Sequence, residues 1–295
     1  MVQDMIKGVG VALITPFKNY DVDYEALGRM VEYVIEGGVD YIVALGSTAE
    51  TATMSLEERN KVLRFIVKQT AGRVAIVAGM GSNDTHSLVE QLRTFDLSDT
   101  VAILSVVPYY NKPSQEGVYR HFMAVAEASP VPVIIYNVPG RTGMNMTAET
   151  TLRLAHATEK IVAVKEACGN IEQMQQILDG RPERFLVLSG DDGLTVELVK
   201  RGGDGVISVA ANTFPEKFCR CVHDAMAGHI VEAEAQMQQL EEPINLLFKE
   251  GNPVGAKSMT ATMELTSAEV RLPLVEATEA LAAEIKTTIE KYDLR

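Results

Sequence analysis

The sequence predicts an α/β protein: a (β/α)₈ or TIM barrel carrying a C-terminal helical extension. Three observations predict it. Short Val- and Ile-rich runs recur eight times between residues 11 and 208. Amphipathic stretches of helical period lie between them. Beyond about Phe214 the runs stop and only helical periodicity continues. The runs are Val11–Thr15, Tyr41–Leu45, Val74–Ala78, Val101–Ser105, Val131–Tyr136, Ile161–Lys165, Phe185–Ser189 and Gly205–Ser208. They do not alternate polar with apolar, so they suit strands buried on both faces, as in a parallel sheet. Among the intervening helices, Asp23 caps one whose apolar side is Leu27, Met30, Val31 and Val34. Ser55 and Glu58 form a capping box ahead of Val62, Leu63 and Ile66, and Ser114 precedes Val118, Phe122 and Val125. Gly37-Gly38 and Gly202-Gly203 end helices and lead into the echoing segments GGVDYIVA and GGDGVISVA, a weak internal repeat. An open doubly wound sheet is the competing architecture. It wants a glycine-rich phosphate loop at its first crossover. That crossover reads TPFKNYDVD, without glycine, and Gly79-Met80-Gly81 lacks a third glycine. In the tail, Ile230, Ala233, Met237 and Leu240 share a helical face, as do Leu274, Leu281, Ile285 and Tyr292. The expected division is residues 1–225 for the barrel and 226–295 for the helical part. No low-complexity linker separates them, so the tail is expected to pack on the barrel, closing it or joining subunits.

The chain has 295 residues, 46% apolar and 23% charged, enough to bury a core without disulfide or metal staples. Its formal net charge of −13 argues against nucleic acid and against docking on anionic lipid. Cys168, Cys219 and Cys221 are too few for a disulfide framework and read as reduced thiols of a cytoplasmic protein. Val9–Phe17 is apolar but has no small-residue cleavage site behind it, so no secretory signal is expected. No apolar run approaches the ~20 residues that span a bilayer.

A barrel builds its site at the carboxyl ends of the strands. Lys165 ends the sixth run. An amine whose stem lies in an apolar barrel mouth is poorly solvated, becomes easier to deprotonate and can form a Schiff base with a carbonyl compound. The alternative is a strand-end lysine that snorkels to water. Tyr136 ends the neighbouring strand and can relay protons if hydroxyls flank it; Thr48 and one of Tyr109-Tyr110 are the candidates. The alternative is that these tyrosines are amphipathic rim residues. Arg141, in the turn PGRTG, suits bidentate capture of a carboxylate, or is simply a surface arginine. Backbone N–H groups at Ser47-Thr48 could hold a second small carboxylate. A metal centre fits poorly. The histidines, His86, His121, His156, His223 and His229, all fall in helical stretches. The spacing Cys219-x-Cys221-x-His223 points its residues to different helix faces. Asp191-Asp192 has no second carboxylate cluster beside it. Neither a metal nor an organic cofactor is expected.

The segments GVALITPF, GSTAETATM, PYYNKPSQEG, YNVPGRTG, VAVKEACGN, LSGDD and GVISVAAN occur in an order and at spacings that resemble the dihydrodipicolinate synthase family over almost the whole chain. The wider group is the pyruvate-dependent class I aldolases and lyases, which includes the N-acetylneuraminate lyases. The resemblance implies condensation of pyruvate with aspartate semialdehyde in lysine (diaminopimelate) biosynthesis. It implies that Lys165 forms the imine and that Tyr136 transfers protons. Thr48 would link Tyr136 to Tyr110 in a hydroxyl relay, with Tyr110 reaching into a neighbouring subunit's site. Ser47 and Thr48 would hold the pyruvate carboxylate, Arg141 the second substrate's carboxylate, and the Ile207 carbonyl would lie near the lysine. It further implies a homotetramer built as a dimer of dimers. An arginine at position 141 distinguishes the chain from the neuraminate lyases. Two departures stand out. Ala49 replaces the glycine of a G-T-T-G-E pattern and would be strained at positive φ. Leu56, Arg59 and Ser87 stand where lysine-inhibited members use two histidines and a glutamate, while Asn83 and Tyr109 remain. Weak or absent inhibition by L-lysine is expected. Two other readings stay open: another Schiff-base pyruvate aldolase or lyase acting on a sugar acid, and a barrel-derived binding protein without catalysis.

Overall fold

A computed structural model describes residues 1–294. Eight parallel strands close into a barrel: β1 (Gly8–Ala12), β2 (Tyr41–Ala44), β3 (Ala75–Gly79), β4 (Ala102–Val106), β5 (Val133–Asn137), β6 (Ile161–Glu166), β7 (Leu186–Ser189) and β8 (Gly205–Ser208). Each strand pairs with its sequence neighbours, and β8 returns to β1 in the register Gly10 to Ile207. Helices α1 (Tyr24–Glu36), α2 (Leu56–Thr70), α3 (Thr85–Thr94), α4 (Gln115–Ala128), α5 (Ala148–Ala157), α6 (Ile171–Gly180), α7 (Thr195–Lys200) and α8 (Pro215–Met226) follow the strands in turn. The expected caps form. Asp23 accepts from the Ala26 N–H, Ser114 from the Gly117 N–H, and Ser55 and Glu58 close a reciprocal box.

The first strand begins three residues earlier than the expected Val11–Thr15, because Gly8 and Gly10 belong inside it rather than bounding it. A Cβ on Gly10 would stand 2.2 Å from the Tyr41 ring. Tyr41 is fully buried in the cluster that fills the barrel, with Val43, Val77, Leu104, Ile134, Leu188 and Ile207. The barrel axis therefore holds one large ring, and β1 makes room for it by omitting a side chain. Residues 17–22 also differ from expectation. Phe17–Lys18 and Asp21–Val22 form a small antiparallel hairpin, with Asn19 and Tyr20 at positive φ in its turn. Neither position is glycine, so the turn was not legible as a hairpin.

The tail comprises α9 (Ile230–Phe248), α10 (Val254–Thr262) and α11 (Glu279–Tyr292). It packs on the barrel through polar as well as apolar contacts. Lys257 of α10 pairs with Glu50 at 2.5 Å, both side chains buried, and Arg271 pairs with Glu58 at 2.7 Å. The three cysteines are free thiols. Among the described residues, no His/Cys/Asp/Glu group is arranged to hold a metal, and no helix is long and apolar enough to cross a membrane. Cys221 Sγ donates to the Ala233 carbonyl, whereas His223 Nε2 meets Asp40 at 2.8 Å. The two side chains turn to different partners, as the spacing of two requires.

Gly10→Ala should overpack the barrel axis. A loss of about 1–3 kcal/mol is expected, read as a lowered urea midpoint, and Tyr41→Leu in the same chain should recover part of it.

Candidate active site

Strand alternation places the chemistry. β5 and β6 pair with Tyr136 opposite Lys165 and Asn137 opposite Glu166. Tyr136 belongs to the cluster inside the barrel, and the Lys165 amine stands 4.4 Å from the centre of its ring. The next pair faces the other way, as successive strand residues must. There Asn137 Nδ2 donates to both Glu166 oxygens at 2.9 and 3.1 Å, and the Cys168 N–H and Gln173 amide also donate to that carboxylate. Burial raises the Glu166 pKa, and these donors oppose the shift. An outward polar latch thus locks the two strand ends whose inward residues meet in the mouth.

Lys165 is 5% exposed. Burial pulls its pKa down to about 8; Asp192 opposes the shift and Arg141 adds to it. Among the described residues no carboxylate lies within ion-pair distance of its amine. Its stem runs past Gly190, where a Cβ would stand 3.1 Å from Lys165 Cε and closer still to Ala167. Asp192 is buried and accepts from the Val209 and Ala210 N–H groups at 3.2 and 3.0 Å, tying the β7 loop to the end of β8. Desolvation raises its carboxyl to about 6. Burial pushes the Tyr136 phenol up to about 12, against the pull of Arg141 and of the Ser47 side chain. The phenol is therefore a neutral proton donor near pH 7.

The loop after β2 gives Ser47 and Thr48 different surroundings. Residues Ser47–Ala49 form a 3₁₀ turn, so successive side chains point about 120° apart. Ser47 and Tyr136 line the same cleft. Thr48, the expected relay, is buried, and its Oγ1 accepts from Asn252 Nδ2 at 2.8 Å. Ala49 is not at positive φ; the left-handed residue of this loop is Glu50, with φ 57°.

Arg141 lies in the short helix Pro139–Thr142, and its Nη2 donates to the Asn252 carbonyl at 3.0 Å. It lines a cleft of about 270 Å³ with Ser47, Tyr109, Tyr136, Thr142 and Arg59. Tyr110 is outside that lining, 84% exposed and at positive φ. Ile207 is buried on β8, in the barrel cluster. Sequence reasoning brought together Lys165, Tyr136, Arg141 and Ser47. It missed Gly190, the Asn137–Glu166 latch and Asn252. A larger cleft, of about 690 Å³, opens where the strands begin, between Asp4, Lys7, Arg73 and His223. It holds no buried amine. The cleft at the strand ends, by contrast, is lined by a protonated phenol, a hydroxyl and a guanidinium, and the poorly solvated Lys165 amine, not itself in the lining, adjoins it across the Tyr136 ring. That set can capture a keto acid and move protons around its carbonyl.

The model of the dihydrodipicolinate synthetase family matches residues 5–292. The 4-hydroxy-tetrahydrodipicolinate synthase of Parabacteroides distasonis is 50% identical over 291 residues, covering 98% of each chain. That of Phocaeicola vulgatus is 50% identical over 276 residues, covering 93% of each. The crystal structure of dihydrodipicolinate synthase from Aquifex aeolicus superposes with a TM-score of 0.95 at 39% identity, covering 98% of this chain and 99% of that one.

The amine's nucleophilicity should follow its lowered pKa. Trace acylation of Lys165 with a small anhydride should rise about tenfold per pH unit and level off near pH 8. A solvated lysine would keep rising to beyond pH 10. Peptide mass analysis across the pH series reads the difference.

Proposed function

The chain belongs to the dihydrodipicolinate synthetase family, and from that premise we propose how its own residues divide the work. The reaction condenses pyruvate with L-aspartate 4-semialdehyde through a lysine Schiff base, a step of lysine biosynthesis by way of diaminopimelate. The observation that carries the assignment is the buried, unpaired Lys165 amine facing the Tyr136 ring.

Lys165 attacks the keto carbon of pyruvate. The carbinolamine loses its hydroxyl as water, taking a proton from the Tyr136 phenol, and leaves the imine. The Tyr136 phenolate left by that transfer takes a methyl proton and is a phenol again, while the electron pair of the broken C–H bond flows toward the protonated imine nitrogen, giving the enamine. Its carbon attacks the aldehyde of the second substrate. The amine of that substrate then displaces Lys165 by transimination, closing the ring and freeing the enzyme. Ser47, which lines the cleft with Tyr136, shares the relay with Thr48. Thr48 and the backbone of its turn hold the pyruvate carboxylate. Arg141, anchored on one side by Asn252, presents the rest of its guanidinium to the carboxylate of the semialdehyde. The Ile207 carbonyl helps orient the imine from β8. Tyr110 completes the relay of a neighbouring subunit, a role supported by its exposure outside its own cleft. The assembly is a homotetramer of two such dimers, working in the cytoplasm.

Borohydride reduction with pyruvate tests the central step: Lys165 should be modified irreversibly, and an unmodified Lys165 would sink the assignment. Arg141→Ala should lower kcat/KM for the semialdehyde about 10- to 100-fold, the scale of hydrogen bonds to a charged group, while trapping of pyruvate persists. Equal loss of both would misplace the acceptor carboxylate.

Inhibition by L-lysine is expected to be weak or absent. Leu56 is an exposed apolar side chain, the Arg59 guanidinium donates to the Thr51 carbonyl beside Tyr109, and the Ser87 hydroxyl is engaged by Asp84. A ligand ammonium finds a cation there rather than a partner. Initial rates titrated with L-lysine check this; half-inhibition below a millimolar would contradict it.

A further inference from the structure

Asn252 stands between the tail and the barrel mouth, in the turn that leads into α10. It is 8% exposed. It contacts two parts of the site at once. Its side-chain Nδ2 donates to Thr48 Oγ1 at 2.8 Å, and its backbone carbonyl accepts from Arg141 Nη2 at 3.0 Å. These partners belong to different loops, after β2 and after β5, and neither loop bonds the other through these groups. The amide also leaves its Oδ1 buried without a donor.

We propose that Asn252 is a positioning residue that sets the spacing between the two carboxylate-holding points, its side chain placing Thr48 and its backbone placing Arg141. This rests on the roles given above to Thr48 and Arg141. Two small acids that must react with each other have to be held within a few tenths of an ångström of the productive geometry. Two independent loops do not provide that by themselves, whereas a single residue bonded to both fixes their separation.

The division between side chain and backbone makes the role separable. Asn252→Ala removes the bond to Thr48 and keeps the carbonyl that anchors Arg141. The pyruvate concentration for half-maximal borohydride trapping on Lys165 should rise about three- to tenfold, the scale of one hydrogen bond. KM for the semialdehyde should change less than about twofold. In a Thr48→Val background the same substitution should add nothing further, because the bond is already lost. Asn252→Ser leaves a smaller void and carries the same comparison if the alanine variant is unstable. Additive effects in the double variant, or parallel increases for both substrates, would overturn the proposal. So would an unchanged half-saturation in both Asn252 variants while the wild-type protein is trapped normally. Failure of the wild-type protein to be trapped at all would instead refute the Schiff-base role of Lys165.

Discussion

A lysine that must attack a carbonyl near neutral pH has to be dry and at the same time unpaired, and the architecture turns on that requirement. Two lysines of this chain show the distinction. Lys165 and Lys257 are both buried, and burial pulls both down to about 8. Lys257 sits on Glu50 at 2.5 Å and donates to the Glu269 carbonyl at 2.8 Å, so its charge is answered within the core. Lys165 has no such carboxylate; the nearest influence is the more distant Asp192. The first arrangement is structural and the second is chemical. A shift from 10.5 to about 8 corresponds to roughly 3 kcal/mol against the charged form. Because the folded pKa lies below the unfolded one, that cost is absent above about pH 10.5 and fully present below about pH 8. The site is thus a source of instability at working pH, which the rest of the barrel must offset.

The surroundings make that offset local. Lys165 is aimed by β6, and β6 is fastened to β5 by the Asn137–Glu166 contacts on the opposite face, one residue further along each strand. Period-two alternation therefore separates the two tasks: a polar latch outward, a dry amine and phenol inward. Gly190 and Asp192 act similarly at β7. The glycine clears space for the lysine stem, and the carboxylate ties the loop to the β8 end through two backbone N–H groups.

Legibility in the sequence followed the range of the forces involved. Barrel strands buried on both faces appear as bounded apolar runs, so seven of the eight were placed within two residues at each end, and Lys165 and Tyr136 were legible as polar residues closing such runs. β1 was misplaced because its glycines answer distant side chains, Gly10 the Tyr41 ring on another strand and Gly8 the Asp40 carboxylate. The different surroundings of Ser47 and Thr48 follow from the phase of a short 3₁₀ turn, which neighbouring residue types do not encode. Asn252 lay out of reach altogether. Its partner is Thr48, 204 positions earlier, and nothing in the local periodicity of the tail marks one asparagine as facing the barrel mouth.

The tail is therefore part of the site rather than an appendage to it. The turn carrying Ser47 and Thr48 ends at Glu50, a left-handed non-glycine residue whose conformation costs on the order of 1 kcal/mol. That conformation persists because α10 and the segment after it over-determine it. Lys257 holds one Glu50 oxygen, the Arg271 backbone N–H donates to the other at 2.8 Å, and the Arg271 guanidinium reaches Glu58 and the Tyr20 carbonyl. Phe17 lies under both cations. The hairpin at residues 17–22 and the strained loop are thus closed by a single buried charge cluster supplied from the tail. A barrel without that cluster would keep its strands, and with them Lys165 and Tyr136. It would lose the fixed placement of the turn that carries Ser47 and Thr48, and so the binding geometry before the nucleophile.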